Sequence, residues 1–254
     1  MPLTPTEKLV WDDQRLTDPH RQSDKARRVQ AMFDEIAPTY ERVNRVLSAG
    51  RDGYWRRRAV ELAKITKDDR VLDLACGTGD FARAFASVGP AGVVGCDFAQ
   101  QMLAQAITRP GSTNSTAIRW SAADALALPF ADDTFTVASC AFGVRNWQDL
   151  DRGLREMYRV LRPGGRAVIL EFSMPRAPLV GPLYRFYFRH VLPRVATWIS
   201  RDRCGAYRYL PASVGTFMDG EGMMGALRKA GFSRVMQRRL TFGIVTVYVA
   251  GKER

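Results

Sequence analysis

The chain of 254 residues, 46% of them hydrophobic, is long enough to bury one large core. Lysine and arginine total 38 against 26 acidic residues, and the net charge of +12 attracts phosphate-bearing partners, either nucleic acid or anionic lipid. Residues 1–30 are too polar for a signal peptide, and no run of about 18 uncharged apolar residues could span a bilayer. These features predict a soluble cytoplasmic protein. The four widely separated cysteines predict neither a disulfide nor a metal site.

The N-terminal region is predicted to be helical after a flexible start. We expect residues 1–22 to be flexible and residues 23–254 to form one domain. Between residues 23 and 47, apolar side chains recur at spacings of three and four, which predicts helices interrupted at Pro38. Residues 54–64 are predicted to form another helix.

From residue 70 onward, short apolar runs alternate with amphipathic segments. The runs predict strands at 70–75, 93–97, 117–122, 135–142 and 166–172. The intervening segments predict helices at 100–107 and 149–161, the second of them closed by Pro163, Gly164 and Gly165. This alternation predicts an α/β fold with a doubly wound, mostly parallel sheet.

The alternation is interrupted once before the chain ends. Residues 175–211 are crowded with aromatic and basic side chains, which predicts an inserted helical lid. A helix at 221–230 and two strands at 232–239 and 242–250 follow, and the strands are expected to form a hairpin at one edge of the sheet. The sheet is therefore predicted to have seven strands.

A glycine loop follows the first predicted strand. Gly77, Thr78 and Gly79 lie where a strand turns into a helix, and glycine there lets the backbone approach a ligand closely. The alternative is a dinucleotide site, because 77–82 fits the G-x-G-x-x-G/A pattern and Asp97 lies near the distance expected for a ribose-binding acid. That pattern alone is weak evidence.

Three features favour S-adenosylmethionine over a dinucleotide. Asp73 lies inside the first strand, where its carboxylate can face a cationic amino group. Asp124 and Ala125 follow the third strand and are placed to contact adenine, and the terminal helix and hairpin resemble those of class I methyltransferases. In this interpretation Asp97 accepts from both ribose hydroxyls, since a carboxylate offers two acceptor oxygens. The predicted cofactor residues are Asp73, Gly77, Thr78, Gly79, Asp97, Asp124 and Ala125.

Four sequence blocks stand out: residues 40–48 with Trp55, 142–146, 159–165 with 171–173, and Tyr207, Tyr209, Leu210 and Ser213. In this order they resemble the ubiquinone and menaquinone biosynthesis C-methyltransferase family, from about Lys25 to Lys252. The resemblance implies a class I methyltransferase (Rossmann-like) fold with N-terminal helices. Two positions depart from the family pattern: Asp52 stands where the family usually has His, and Ala141 where some members have Ser.

The resemblance also implies a reaction. The methyl group of S-adenosylmethionine would go to a ring carbon of a prenylated quinol, either demethylmenaquinol or the benzoquinol precursor of ubiquinone, and the ring must be reduced because a quinone carbon is too electron-poor. Arg145, Asn146 and Tyr40 are the predicted catalytic residues, with Asn44 a further candidate. As alternatives, Arg145 could pair with Asp149, Asn146 could cap the next helix, and Tyr40 could pack in the core.

The predicted lid and the net charge bear on partners. The aromatic and basic stretch from Leu183 to Ile199 suits a prenyl tail and contact with an anionic membrane, or else ordinary helix packing with a solvated basic face. The charge would also fit an RNA-binding protein. The turn that amino-group methylating enzymes use to hold a base is missing at 140–143, however, so nucleic acid is not expected. The sequence is compatible with a homo-oligomer but does not determine the oligomeric state.

Overall fold

The computed structural model describes residues 9–110 and 115–254, which surround one seven-stranded sheet of order β3-β2-β1-β4-β5-β7-β6. Its strands are β1 (Arg70–Leu74), β2 (Gly92–Asp97), β3 (Ile118–Ala122), β4 (Phe135–Ala141), β5 (Leu161–Phe172), β6 (Ser233–Leu240) and β7 (Val245–Gly251). The strands from β1 to β5 pair in parallel, and β7 runs antiparallel to both β5 and β6. The predicted doubly wound, mostly parallel sheet with a closing hairpin at one edge is confirmed.

Helices cover both faces of this sheet. They are α1 (Asp13–Leu16), α2 (Lys25–Ile36), α3 (Tyr40–Leu47), α4 (Arg51–Ala63), α5 (Asp80–Ala86), α6 (Gln100–Thr108), α7 (Leu150–Val160), α8 (Val180–Phe186), α9 (Leu192–Ser200), α10 (Ala206–Thr216) and α11 (Gly220–Lys229). Successive residues of β1 alternate between the two cores: Leu72 packs with the side chains of α7 and α11, and Val71 packs with those of α4 and α5. The sheet is therefore buried on both faces, as its near-continuous apolar strands require.

Part of the segment predicted to be flexible packs against the rest of the domain. Trp11 is fully buried, its amide donates to the carbonyl of Cys204 (2.9 Å), and its ring lies 4.4 Å from that of Tyr209. Gly205 makes this contact possible, since a Cβ there would lie 2.8 Å from the Trp11 carbonyl oxygen. The apolar area that one tryptophan buries is enough to hold a short segment in place. The first eight residues lie outside the described part of the chain.

The inserted lid is helical, as predicted. The predicted range, 175–211, also includes the first part of α10. Helix α8 passes through a π-helical turn, Tyr187–Val191, directly into α9. The inner face of this long helix buries Phe188, Leu192 and Ala196. Among the described residues, no helix combines the length and the apolarity needed to cross a bilayer.

Candidate active site

The glycine loop connects β1 to α5 at the carboxyl edge of the sheet. Gly77 (φ 55°) and Gly79 (φ 86°) both have the left-handed backbone that glycine tolerates best. A Cβ on Gly79 would lie 2.4 Å from the Trp120 ring, whereas a Cβ on Gly77 would meet nothing within 4 Å. Gly79 is therefore required by packing, and Gly77 leaves an open approach for a ligand.

Asp97 lies at the end of β2, next to this loop, and is 6% exposed. Its Oδ2 accepts a hydrogen bond from the Gly77 amide (2.7 Å), and its Oδ1 accepts from the Ala99 amide (2.8 Å). Burial raises the pKa of Asp97 to about 6, and the hydrogen bonds from backbone amides oppose that shift. A carboxylate has about four acceptor positions, so Asp97 retains capacity for two further donors.

A cleft beside Asp97 brings most of the predicted cofactor residues together. Gly77, Asp97, Asp124 and Ala125 all line it, together with apolar side chains such as Met102. The Asp124 carboxylate is exposed, and its Oδ1 accepts from the Leu126 amide (2.9 Å), which fixes its loop after β3. The cleft has an acidic edge and an apolar floor, which suits a nucleoside.

Asp73 and Thr78 line a second, smaller cleft on the other side of Gly77. Asp73 is fully buried, and the Ser139 hydroxyl donates to its Oδ1 (2.8 Å). Burial raises the pKa of Asp73 to about 7. Among the described residues, its Oδ2 has no hydrogen-bond partner of ordinary geometry, so this cleft is lined by a residue with a buried, unsatisfied acceptor.

A larger cavity of about 300 Å³ adjoins both clefts. It is walled mainly by aromatic and aliphatic side chains from α2, α3, the lid and α10, including Phe33, Tyr184, Phe188 and Leu192. Tyr40 lines this cavity and both clefts, so it lies where the three spaces meet. The predicted catalytic candidate Tyr40 is thus placed at the junction, and Asn44 lines the larger cavity.

Arg145 lines the larger cavity and is only 5% exposed, although a loop position after β4 predicted exposure. Its Nη1 donates to Glu171 Oε1 (2.8 Å) and to the Phe142 carbonyl (2.6 Å). The alternative pairing with Asp149 is wrong, because Asp149 instead caps α7 by accepting from the Arg152 amide. Burial of the guanidinium favours the buried carboxylate of β5 as its partner.

Asn146 lies beside Arg145 in a short 3₁₀ helix, Val144–Asn146, and lines the cleft beside Asp97. Its Nδ2 donates to the Phe142 carbonyl (3.2 Å), and its Oδ1 accepts from the Tyr209 hydroxyl (3.0 Å). The alternative that it caps the next helix is wrong, since Asp149 has that role. One amide hydrogen of Asn146 remains for another acceptor.

Lys25 is a site residue that the sequence did not reveal. It is 2% exposed, and its Nζ donates to the carbonyls of Arg145 (2.9 Å) and Trp147 (2.6 Å), so α2 holds the segment that carries the catalytic candidates. Burial lowers the pKa of Lys25 to about 8. Glu171 was likewise missed as a partner. The sequence contains no local sign of either contact, because both join residues far apart in the chain.

Comparisons with known proteins agree with this architecture. A model of the ubiE/COQ5 methyltransferase family matches residues 21–252. A demethylmenaquinone methyltransferase of Deinococcus radiodurans is 47% identical over 230 residues, which cover 90% of this chain and 94% of the relative. One from Thermus thermophilus is 48% identical over 222 residues, which cover 87% of this chain and 100% of the relative. The ubiquinone/menaquinone biosynthesis C-methyltransferase UbiE of Geobacter sulfurreducens is 44% identical over 236 residues, which cover 92% of this chain and 91% of the relative.

Solved structures with lower identity share the fold. A SAM-dependent methyltransferase of Thermotoga maritima has a TM-score of 0.61 at 19% identity and covers 89% of this chain and 100% of its own. Phosphoethanolamine N-methyltransferase 2 of Haemonchus contortus was solved with S-adenosyl-L-methionine. It has a TM-score of 0.59 at 16% identity, and the match covers 78% of this chain and 52% of its own. The predicted class I methyltransferase fold is confirmed, and the match over residues 21–252 with three relatives above 40% identity shows that the chain belongs to the ubiE/COQ5 methyltransferase family.

Proposed function

We propose that this protein transfers the methyl group of S-adenosylmethionine to a ring carbon of a prenylated quinol, with demethylmenaquinol as substrate. The observation that carries the proposal is the junction at Tyr40, which lines two clefts with acidic side chains and an aromatic cavity of about 300 Å³. The names of the 47% and 48% identical relatives support the choice of quinol. The second candidate is the benzoquinol of ubiquinone synthesis, because the 44% identical relative carries both pathways in its name.

The residues around the glycine loop fit the proposed cofactor. Asp97 retains acceptor positions for two ribose hydroxyls, and Asp124 and Ala125 line the same cleft where adenine would lie. The unpartnered Oδ2 of Asp73 offers an acceptor for the cofactor's ammonium group. The open space beside Gly77 leaves room for the cofactor to extend from one cleft to the other. When bound, the cofactor supplies an electrophilic methyl group.

The cavity residues have distinct tasks in this proposal. Arg145 donates to a quinol oxygen and stabilises negative charge there, and its pairing with Glu171 fixes the guanidinium in place. The remaining amide hydrogen of Asn146 can bind the same oxygen directly or through water. Tyr40 packs at the junction and aligns the ring carbon with the donor cleft, so that proximity contributes a large part of the rate.

We further propose that the protein is cytoplasmic and contacts anionic membranes through the outer face of the lid. Leu179, Leu183, Phe186, Val191, Val195 and Trp198 form this outer lid face, with exposed fractions from 36% to 87%. Arg185, Arg189 and Arg194 are exposed along the same helix, where they can meet lipid phosphates. The inner face of that helix lines the quinol cavity, so a prenyl tail held in a bilayer would be close to its site.

Vesicle sedimentation tests the membrane proposal. Changing Leu183 and Trp198 together to Ser should lower binding to vesicles with one-third anionic lipid by more than about tenfold, since each buried apolar side chain contributes about 1.5–3 kcal/mol. Val88→Ser is the matched control, because Val88 is 51% exposed and lies outside the lid. Equal binding by the lid variant and the control would contradict the proposed face.

A methylation assay tests the reaction itself. Labelled S-adenosylmethionine is supplied with demethylmenaquinol or with the benzoquinol, each kept reduced by dithionite, and the methylated lipid is identified. We expect product with the reduced demethylmenaquinol and none with the oxidised quinone, because a quinone ring carbon is electrophilic. Equal rates with the oxidised form would contradict the mechanism. RNA binding that weakens with salt, without quinol turnover, would favour a nucleic-acid substrate.

A further inference from the structure

Arg56 separates the small cleft beside the glycine loop from the larger cavity. It lies on α4, lines both spaces, and its side chain is 9% exposed. Buried arginines normally place every N–H on an acceptor, since a buried donor without one costs about 1–3 kcal/mol. The hydrogen bonds of this guanidinium therefore show which of its atoms remains for a ligand.

Two carboxylates and one ring account for most of the Arg56 guanidinium. Its Nη1 donates to Asp52 Oδ2 (2.7 Å), its Nη2 lies 3.7 Å from Asp80 Oδ2, and its Cζ lies 5.7 Å from the centre of the Phe142 ring. Its Nε is buried and has no hydrogen-bond partner in the part of the chain that the structure describes. The charge is thus held in place, and Nε is the guanidinium nitrogen that is buried without an acceptor among the described residues.

An unused acceptor of opposite charge lies in the same cleft. Asp73 also lines it, and Asp73 Oδ2 is a buried atom without a partner among the described residues. The two side chains are close enough for the charge of Arg56 to stabilise the Asp73 carboxylate. One cleft is therefore lined by a cationic side chain with a buried N–H and an anionic side chain with a buried oxygen, and neither atom has a hydrogen-bond partner among the described residues. A group that satisfies both carries a carboxylate and an ammonium, as the end of an α-amino acid does.

We infer that Arg56 binds the carboxylate at the methionyl end of S-adenosylmethionine, while Asp73 accepts from the ammonium group of the same end. This assignment rests on the proposed cofactor. Asp52 and Asp80 contact Arg56, and Asp73 lines the same cleft, so this region favours the cofactor's net positive charge as a whole. The ligand carboxylate needs Arg56 there as its cationic partner. The competing explanation is that Arg56 only joins α4 to Asp80 at the start of α5.

Calorimetry with two nucleosides separates these explanations. The probes are S-adenosylhomocysteine and its decarboxylated analogue, which keeps the adenosine, the thioether and the amine. Arg56→Gln should weaken S-adenosylhomocysteine binding by about 10- to 100-fold and leave the analogue within about twofold of the wild type, as expected for one lost charge-assisted contact. Arg57→Gln, an exposed neighbour on the same helix, is the matched control and should change neither affinity.

The wild-type protein provides a test that needs no variant to fold. It should bind S-adenosylhomocysteine at least about tenfold more tightly than the decarboxylated analogue, because only the former has the carboxylate that Arg56 would hold. Equal wild-type affinities would overturn the assignment, and so would an equal loss of both ligands in Arg56→Gln. In both cases the cofactor proposal would stand, since the nucleoside still binds. Failure of the wild type to bind either nucleoside would overturn both.

Discussion

Replacing Asp97 by Ala should remove most of the affinity for the cofactor while the protein remains folded. In the structure this carboxylate accepts from the amides of Gly77 and Ala99, retains further acceptor positions, and lines the same cleft as Asp124 and Ala125. The substitution therefore removes two internal hydrogen bonds and, under the proposed function, two bonds to the ribose. The size of each effect decides what the variant should show.

The internal effects nearly cancel. A hydrogen bond to an ionised acceptor contributes about 1.5–3 kcal/mol, and Asp97 accepts two of them. Burial outweighs them: after both effects the pKa of Asp97 is raised from its ordinary 3.8 to about 6, so the charged form is about 3 kcal/mol less stable in the fold than in water. Removing the carboxylate relieves that cost but leaves the amides of Gly77 and Ala99 without their acceptor, at about 1–3 kcal/mol each. We therefore expect the free energy of unfolding to change by less than about 3 kcal/mol.

The effect on binding has no such compensation. Losing the charged acceptor of both ribose hydroxyls should cost about 2–4 kcal/mol, or roughly 30- to 1000-fold in the dissociation constant. Calorimetry with S-adenosylhomocysteine measures the affinity, and thermal unfolding shows whether the variant is folded. Asp68→Ala, at an exposed carboxylate away from the clefts, is the control. Wild-type affinity in a folded Asp97→Ala protein would refute the ribose role of Asp97.

Three further perturbations test other parts of the site. Arg145→Ala and Asn146→Ala should each lower kcat by about 10²-fold or more with little change in cofactor affinity; normal turnover with a lower melting temperature would mark a structural role. Because burial raises the pKa of Asp73 to about 7, its carboxyl is protonated below that pH, so affinity for S-adenosylhomocysteine should fall by about tenfold in total as pH drops from 8 to 6. Asp73→Asn should bind weakly with a much shallower profile, limited to the about twofold that Asp97, with its pKa of about 6, contributes at the lower end. An unchanged slope would exclude Asp73. Lys25→Met should lower the free energy of unfolding by about 2–4 kcal/mol, because the carbonyls of Arg145 and Trp147 lose their donor. It should also lower kcat. A loss of stability with unchanged kcat would show that the role of Lys25 is structural only.

The sequence predicted the parts of the site that local chain geometry determines. The glycine loop follows strand β1 and Asp97 ends strand β2. Neighbouring parallel strands place their carboxyl ends together, and Leu74 of β1 pairs with Cys96 of β2. Once the strands were identified, the proximity of Gly77 and Asp97 followed. The same reasoning brought Asp124 to this edge, because β3 is parallel to β2.

The partners of the catalytic candidates could not be predicted in this way. Asp149 is four residues from Arg145 and was the natural alternative, yet Glu171 on β5 forms the pair. A guanidinium buried at this depth needs an equally buried acceptor, and burial depends on the packing of β4 against β5 and not on sequence distance. Lys25 shows the same limit, since a lysine in a polar segment gives no sign that it is buried.

The periodicity of a regular α-helix would not predict which side chains share the outer lid face. Phe186 and Val191 are five residues apart, and in a regular α-helix they would point about 140° away from each other. The π-helical turn between them has a longer repeat, so both side chains reach the exposed face that also carries Leu183 and Trp198. The opposite face stays continuous from Phe188 to Leu192 and lines the cavity. One helix can therefore cover the proposed quinol site on one side and present apolar side chains on the other.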